Sequence, residues 1–128
     1  MTQEDKQLLL KDLSARLPYE VKCDINDNKP YTLSSISNDY DGILIRFKEQ
    51  KNGFNMEVYL SEVKPYLFPI SSMTEEQKKE YNYITERWMY DSSYSISDSI
   101  DWLNANNFDH RGLIPMGLAI DATGLNIY

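Results

Sequence analysis

Hydrophobic and polar residues alternate on both sides of the dipeptide Asn52-Gly53, over residues 43–50 and again over 54–61. Asn-Gly favours the type I′ turn that joins the strands of a tight hairpin, because both residues tolerate a positive φ. With this dipeptide at the centre of the turn, Phe47 pairs with Val58 on the hydrophobic face. The pattern therefore predicts a β-hairpin with one buried and one exposed face.

The same register sets the neighbouring cross-strand pairs of the predicted hairpin. These pairs are Ile45–Leu60 on the buried face, and Arg46–Tyr59 and Lys48–Glu57 on the exposed face. A cation–aromatic pair and an ion pair both stabilise exposed positions of a sheet. We therefore expect Phe47 to contribute to the hydrophobic core and its neighbour Arg46 to lie on the exposed face.

Three other segments place hydrophobic residues three or four positions apart, which is typical of amphipathic helices. Each follows a Ser or Thr that has Asp or Gln three residues later, the pattern of a capping box. The predicted helices span residues 3–16, 75–90 and 96–106, with Thr2, Thr74 and Ser95 as N-caps. Pro18 ends the first helix, and Ile96, Ile100 and Leu103 are predicted to form the buried side of the third.

The order of these elements, strands followed by two helices, predicts an α+β fold in a single domain, residues 1–128. We expect an antiparallel sheet of about four strands, with the N-terminal helix and the two C-terminal helices packed on one face. The predicted strands lie near residues 19–25, 31–36, 43–50 and 54–61. The segment containing Pro65 and Pro69 is predicted to be an extended crossover, and residues 111–128 to form either turns or a short strand.

The chain of 128 residues has a formal net charge of −7, and its negative charge is concentrated in the second half. Residues 1–70 contain 9 Lys or Arg and 11 Asp or Glu, whereas residues 71–128 contain 4 and 9. This balance repels phosphate backbones and anionic lipids, so direct binding to nucleic acid or to a membrane is disfavoured. Neither a signal-peptide pattern nor a membrane-spanning stretch is visible, so we expect a cytoplasmic protein.

The sequence contains no motif for a cofactor or a metal ion. The stretch from Asp24 to Asn28 begins like a calcium-binding loop, but Lys29 stands where the loop needs glycine and Ser35 where it needs glutamate. No glycine pattern for binding phosphate or dinucleotide occurs, and the lone Cys23 excludes an internal disulfide and suits a core position. We therefore expect neither a cofactor nor a metal ion.

The single histidine lies in the segment Asp109-His110-Arg111. An imidazole beside a carboxylate can act as a general base, which makes these three residues the candidates for a catalytic role. Catalysis would also need a nucleophile or an oxyanion site nearby, and no motif supplies one. The alternative is a turn after the third helix in which Arg111 pairs with an acid.

Ten tyrosines and an acid-rich stretch indicate binding rather than catalysis. Between Arg87 and Arg111 the chain has no Lys or Arg, and five serines accompany the acids. Tyrosine is enriched in protein interfaces because it combines a large contact area with a hydrogen-bonding hydroxyl. The candidate contact residues lie in predicted loops, at helix ends or in the acid-rich stretch, and are Tyr40, Tyr66, Tyr90, Tyr94, Asp98 and Asp101.

Three segments resemble parts of small acidic proteins encoded by gut Bacteroidetes and by their phages and prophages. They are residues 64–79 (KPYLFPISSMTEEQKK), 101–114 (DWLNANNFDHRGLI) and 29–33 (KPYTL). The resemblance implies a bacterial or phage-infected cytoplasm and carries over no catalytic residue. In the proteins it resembles, an aromatic residue often stands where this chain has His110, which argues against a catalytic histidine.

These observations favour a non-catalytic protein-interaction module, derived from a phage or prophage, that binds a protein partner. One alternative is an acidic mimic of nucleic acid, whose carboxylates would occupy a basic groove. The other is a small enzyme that uses the Asp109-His110-Arg111 segment.

Overall fold

The computed structural model describes residues 1–128 except residues 49, 51, 52, 54, 55, 88, 92 and 94. Within that part of the chain the fold is α+β, as predicted, with one N-terminal helix and two further helices. The helices are α1 (Gln3–Arg16), α2 (Glu75–Arg87) and α3 (Ile96–Ala105). The bounds of α1 are the predicted ones, whereas α2 ends earlier than predicted.

All three helices begin after the predicted N-cap residues. At Thr2 and Thr74 the side chain of the N-cap and that of the residue three positions later exchange hydrogen bonds with the two backbone amides. At Ser95 the Asp98 carboxylate accepts from the Ser95 amide, and the Asp98 amide donates to the Ser95 carbonyl. The pairs are Thr2–Asp5, Thr74–Gln77 and Ser95–Asp98. Each pair provides acceptors for amides that have none inside the helix. The helix starts are therefore determined by local sequence.

The described residues form one mixed sheet of seven strands, so the predicted antiparallel sheet of about four strands is wrong. The strands are β1 (Lys22–Asp24), β2 (Tyr31–Asp39), β3 (Gly42–Phe47), β4 (Glu57–Tyr59), β5 (Lys64–Pro69), β6 (Phe108–Asp109) and β7 (Ile120–Asp121). Their order is β4-β3-β2-β1-β5-β6, and β7 also pairs with β5. The pairs between β1 and β5 and among β1 to β4 are antiparallel, whereas β6 and β7 run parallel to β5.

The difference arises at β5, which the sequence predicts as a crossover because of its two prolines. A proline removes only its own backbone donor, so the residues between Pro65 and Pro69 remain able to pair. The Phe68 amide donates to the Asn107 carbonyl at 2.8 Å, and the Leu67 carbonyl accepts from the Ala122 amide at 2.8 Å. The strands that β5 pairs with here contain two residues each, too few to produce an alternating pattern.

The first strand also begins later than predicted, at Lys22 rather than at residue 19. Leu17–Tyr19 forms a 3-10 turn, and Glu20 adopts a left-handed conformation with a φ of 59°. A residue in that conformation cannot continue a strand. The alternating pattern of hydrophobic and polar residues therefore begins before the residues that pair in β1.

β3 and β4 form the predicted hairpin in a different register. Ile45 pairs with Val58, and Arg46 with Glu57, whereas the prediction places Leu60 and Tyr59 opposite them. Lys48 likewise forms an ion pair with Glu20 instead of the predicted pair with Glu57. The partners of the two strands are thus displaced by an even number of residues, which leaves every side chain on its predicted face.

The turn of the hairpin explains the displacement. The Gly53 amide donates to the Gln50 carbonyl at 2.9 Å, so these two residues close the turn. The prediction instead makes Gly53 a central residue together with Asn52, which lies outside the described residues. Ile45 and Phe47 are both buried, as predicted.

Two clusters of buried side chains form the interior. The larger combines Leu9 and Leu13 of α1 with the inner faces of the strands, including Ile45, Phe47 and Cys23. The smaller cluster holds α3 against the end of the sheet and consists of Met73, Trp102, Leu103 and Phe108. Trp102 stacks on Phe108 with ring centroids 5.7 Å apart.

The predicted buried side of α3 is correct only at Leu103. Ile96 and Ile100 are 64% and 40% exposed. The buried residues of α3 are instead Ser99, Trp102, Leu103 and Asn104. The larger Trp102 occupies the core position, which turns the two isoleucines outward.

Candidate functional site

α2 covers one side of α3. The rings of Tyr81 and Trp102 lie with centroids 5.5 Å apart, and the hydroxyls of Thr85 and Ser99 are 3.3 Å apart. These contacts bury the Ser99–Trp102 side of α3 against α2. The opposite side of α3 faces away from α2 and is the candidate binding surface.

The exposed side of α3 carries a hydrophobic row that continues out of the core. Ile96, Ile100 and Leu103 lie four and three positions apart, so they are neighbours along one side of the helix. Leu103 is buried in the smaller cluster, whereas Ile96 and Ile100 are exposed. We call the exposed residues Ile96, Ser97, Ile100 and Asp101 the outer α3 face. Removing a large apolar side chain from water is energetically favourable, so this face is a candidate interface.

Acidic residues lie on the outer α3 face and near it in the sequence. Asp101 is exposed and belongs to the face itself, and Asp98 is partly exposed at the first turn of the helix. Asp91 accepts hydrogen bonds from the Ser93 amide and hydroxyl, and these bonds lower the pKa of its carboxyl below the usual value. The Asp91 carboxylate is therefore ionised at neutral pH.

The predicted contact residues fall into different environments. Tyr90 is 82% exposed and lies in the connection between α2 and α3, so it can take part in the same surface. Tyr40 is fully exposed at the turn between β2 and β3. Tyr94 lies outside the described residues.

The predicted position of Tyr66 in a loop is wrong. Tyr66 lies inside β5, pairs with Ile120 of β7 and is 3% exposed. Burial raises the pKa of its phenol, and the neighbouring carboxylates of Asp24 and Asp27 raise it further. Its role is in the sheet, because the segment that contains it is a central strand rather than a loop.

The two predicted acidic contact residues differ in what their side chains do. Asp98 accepts a hydrogen bond from the Ser95 amide at 2.6 Å, which makes it part of the helix cap. Asp101 is exposed on the outer α3 face.

Asp109, His110 and Arg111 enter a buried polar network instead of converging on a catalytic centre. The Asp109 carboxylate accepts hydrogen bonds from the amides of Leu113 and Ile114, both at 2.9 Å. It therefore fixes the turn that follows β6 and does not orient the imidazole. The alternative reading of this segment as a turn agrees with these contacts.

His110 binds a side chain of α3. Its Nε2 lies 2.8 Å from Asn104 Oδ1 and 3.3 Å from Arg111 Nη1. Burial lowers the pKa of His110 to about 4, and the positive charges of Arg111 and Arg16 act in the same direction. The imidazole is therefore neutral at pH 7.

Arg111 pairs with an acid, as the turn interpretation predicts. Its Nη1 lies 2.8 Å from Asp12 Oδ1, and the other oxygen of Asp12 accepts from Arg16 Nε at 2.9 Å. Arg16 Nη2 donates to the Phe108 carbonyl at 2.6 Å. Asp12 and Arg16 are fully buried, so this network joins α1, α3 and the turn after β6 through charged groups in the interior.

Asp12 and Arg16 were not predicted as functional residues, although their spacing gives a signal. Leu9, Asp12, Leu13 and Arg16 occupy one side of α1 and are all buried. A charged pair four residues apart usually belongs to an exposed helix side. Here the pair lies in line with two buried leucines, and that position indicates a buried network.

A cavity of about 450 Å³ lies between α1, the β2–β3 turn and the residues after β4. Gln3, Lys6 and Gln7 of α1 line one side of it, and Asp41 and Tyr59 line the other. None of the predicted contact residues lines it. Its lining mixes amide, cationic, acidic and apolar side chains, which do not define one ligand chemistry.

The remaining sequence expectations concern metals, the thiol and the membrane. In the part of the chain that the structure describes, no group of three or more His, Cys, Asp or Glu residues is arranged to hold a metal ion. Asp24 accepts hydrogen bonds from the amides of Asn26 and Asn28, the chemistry of a turn. Cys23 is fully buried, and burial raises the pKa of its thiol. Among the helices of the described residues, none has the length and hydrophobicity to cross a membrane.

Comparisons with protein-family models, with curated proteins and with solved structures gave no match to this chain.

Proposed function

We propose that this protein is a non-catalytic interaction module that binds another protein through the outer α3 face. The observation that carries the proposal is the hydrophobic row of α3, which is buried at Leu103 and exposed at Ile96 and Ile100. Tyr90, in the connection that precedes α3, extends the candidate surface with an exposed aromatic ring. Exposed isoleucine and tyrosine side chains supply the kind of contact area that protein interfaces use.

The contacts of the only histidine support a non-catalytic role. The Asp109 carboxylate binds backbone amides, and the His110 imidazole binds Asn104. The two side chains therefore serve the interior of the fold, and the acid–base pair that an enzyme would need is not formed between them. The resemblance to small proteins of gut Bacteroidetes and their phages leads us to propose a phage-derived accessory protein that acts in the bacterial cytoplasm.

Quantitative affinity capture with matched surface variants tests the proposal. The bait would be the wild-type protein, the double variant Ile96→Ser/Ile100→Ser, or Ile70→Ser, and the lysate would come from a Bacteroides culture. Ile70 lies in a 3-10 turn outside α3 and is 45% exposed, so its variant controls for the loss of an exposed isoleucine. We expect a protein that the wild type and Ile70→Ser recover equally and the double variant does not. Recovery of the same proteins by all three baits would contradict the proposal.

A further inference from the structure

The outer α3 face presents side chains in rows against which a second helix can pack. Ile96 and Ile100 are separated by one helical turn, and Ser97 and Asp101 form the parallel row beside them. A partner helix can place its own hydrophobic residues, three and four positions apart, between such ridges. The small Ser97 side chain leaves room for close approach along the face.

The charges around the face select the partner. Residues 80–105 contain five Asp or Glu residues and one Arg. That Arg87 stacks on the Tyr83 ring of its own helix, with 5.0 Å from the guanidinium to the ring centroid. A partner with Lys or Arg beside its hydrophobic row would gain favourable electrostatic interactions with Asp101 and with the carboxylates near the start of α3.

The same charges disfavour two other occupants. A second copy of this chain would bring Asp98 and Asp101 close to their equivalents, and like charges in contact oppose association. An anionic membrane surface would be repelled for the same reason. The hydrophobic row and its charges together fit a partner of opposite sign.

We infer that the outer α3 face binds a basic amphipathic helix of another protein, with Ile96 and Ile100 as hydrophobic anchors and Asp101 as the partner of a Lys or Arg. This inference rests on the proposed function and adds the chemistry of the partner. It requires no movement of the core, because the anchoring side chains are already exposed.

The probe for the test is a fluorescent peptide made only of Leu and Lys, with the leucines spaced three and four positions apart. Two control peptides keep the length. One has the same residues in an order that does not place leucine on one side of a helix, and the other has Glu in place of Lys. Fluorescence anisotropy with the full-length protein, at low and at high salt, measures the binding.

We expect the Leu/Lys probe to bind more tightly than either control peptide. The double variant Ile96→Ser/Ile100→Ser should weaken binding by about tenfold, because both anchors lose hydrophobic contact, whereas Ile70→Ser should not. Asp101→Asn should weaken binding by about twofold to threefold at low salt and reduce its salt dependence. Glu4→Gln, which removes an exposed acid of α1, controls for the change in net charge. Circular dichroism would confirm that each variant is folded.

Three results would overturn the inference. The first is equal binding of the probe by the wild type and the double variant. The second is tighter binding of the acidic peptide. The third is a dimer, detected by sedimentation, that the double variant abolishes, because the outer α3 face would then be covered by a second copy.

The failure of this inference can be separated from the failure of the proposed function. The lysate could yield a natural partner that needs Ile96 and Ile100 but that the Leu/Lys probe does not displace. That result would support the proposed interaction module and refute the basic helix as its partner. Loss of probe binding in the double variant, with no protein captured by the same face, would support the basic helix as the preferred chemistry and count against the proposed partner in that lysate.

Discussion

Replacing Phe47 by alanine should destabilise the protein far more than replacing its neighbour Arg46. Phe47 is buried in the larger core cluster and packs against Tyr31, with ring centroids 5.9 Å apart. Truncation of a buried phenylalanine typically costs about 3–5 kcal/mol, through the lost transfer free energy and the cavity that remains. Compared with a total stability of roughly 5–15 kcal/mol, that loss would leave a marginal domain largely unfolded.

Arg46→Ala is the matched control, because Arg46 occupies the next position of the same strand. Its Nε lies 3.3 Å from Glu57 Oε2, and about half of each side chain is exposed. Exposed ion pairs typically contribute about 0–1 kcal/mol, because solvent screens the charges and both side chains lose mobility. We therefore expect a small loss of stability, which salt should reduce further.

Urea denaturation of the two variants, followed by tryptophan fluorescence, decides between these expectations. The midpoint of Phe47→Ala should fall well below that of the wild type with a similar slope, and that of Arg46→Ala should stay close to it. Equal midpoints for the two variants would refute the assignment of the hairpin faces. They would mean either that both faces are buried or that residue 47 does not point into the core.

Two further predictions concern the buried network. Asp12→Asn removes the negative charge that both Arg16 and Arg111 bind, and the uncompensated buried guanidinium should lower the unfolding free energy, measured in urea, by about 3–5 kcal/mol. The exposed Glu4→Gln should change it by less than about 0.5 kcal/mol, and equal effects of the two variants would place Asp12 outside the core. The pKa of His110 is lowered from 6.5 to about 4 by burial and the two arginines, so between these values the unfolded chain binds more protons and stability should fall as pH decreases from 6.5 towards 4. In His110→Gln this part of the pH dependence should disappear, which urea midpoints at about pH 5 and about pH 7 would detect, and an unchanged pH dependence would refute it.

The helices could be predicted well because their signals are local. A capping box involves residues three positions apart, so Thr2 and Asp5 identify the start of α1 without knowledge of the rest of the fold. The side of a helix that becomes buried is decided by its neighbours. In α3, Trp102 contacts Tyr81 of α2 and Phe108 of β6, and both of these residues lie outside α3.

The hairpin shows the same division between local and distant information. Alternation placed Ile45 and Phe47 on the buried face, because a buried strand side needs hydrophobic residues at every second position. The register depended on which residues close the turn, and the hydrogen bond between Gly53 and Gln50 differs from the one that Asn52-Gly53 favours. Both registers keep the same faces, so the hydrophobic pattern cannot distinguish them.

The candidate site was predicted only in part. Tyr90 and Asp101 are exposed, and their role as contact residues stays a prediction. Ile96 and Ile100 were predicted to be core, because a hydrophobic row on a helix indicates burial without indicating whether the same chain provides the cover. Tyr66 was placed in a loop because the two prolines near it concealed a strand.

The parallel pairing of β5 has a consequence for synthesis on the ribosome. Phe68 pairs with Phe108, roughly forty residues later, and Tyr66 pairs with Ile120, more than fifty residues later. While the chain grows, one edge of β5 therefore remains without its backbone partners after β1 to β4 have emerged. Unpaired strand edges attract other chains, and contacts between distant residues slow folding. The nascent protein should consequently be most prone to aggregate during the interval between the synthesis of β5 and that of β7, and a chaperone that shields β5 in this interval would increase the yield of folded protein.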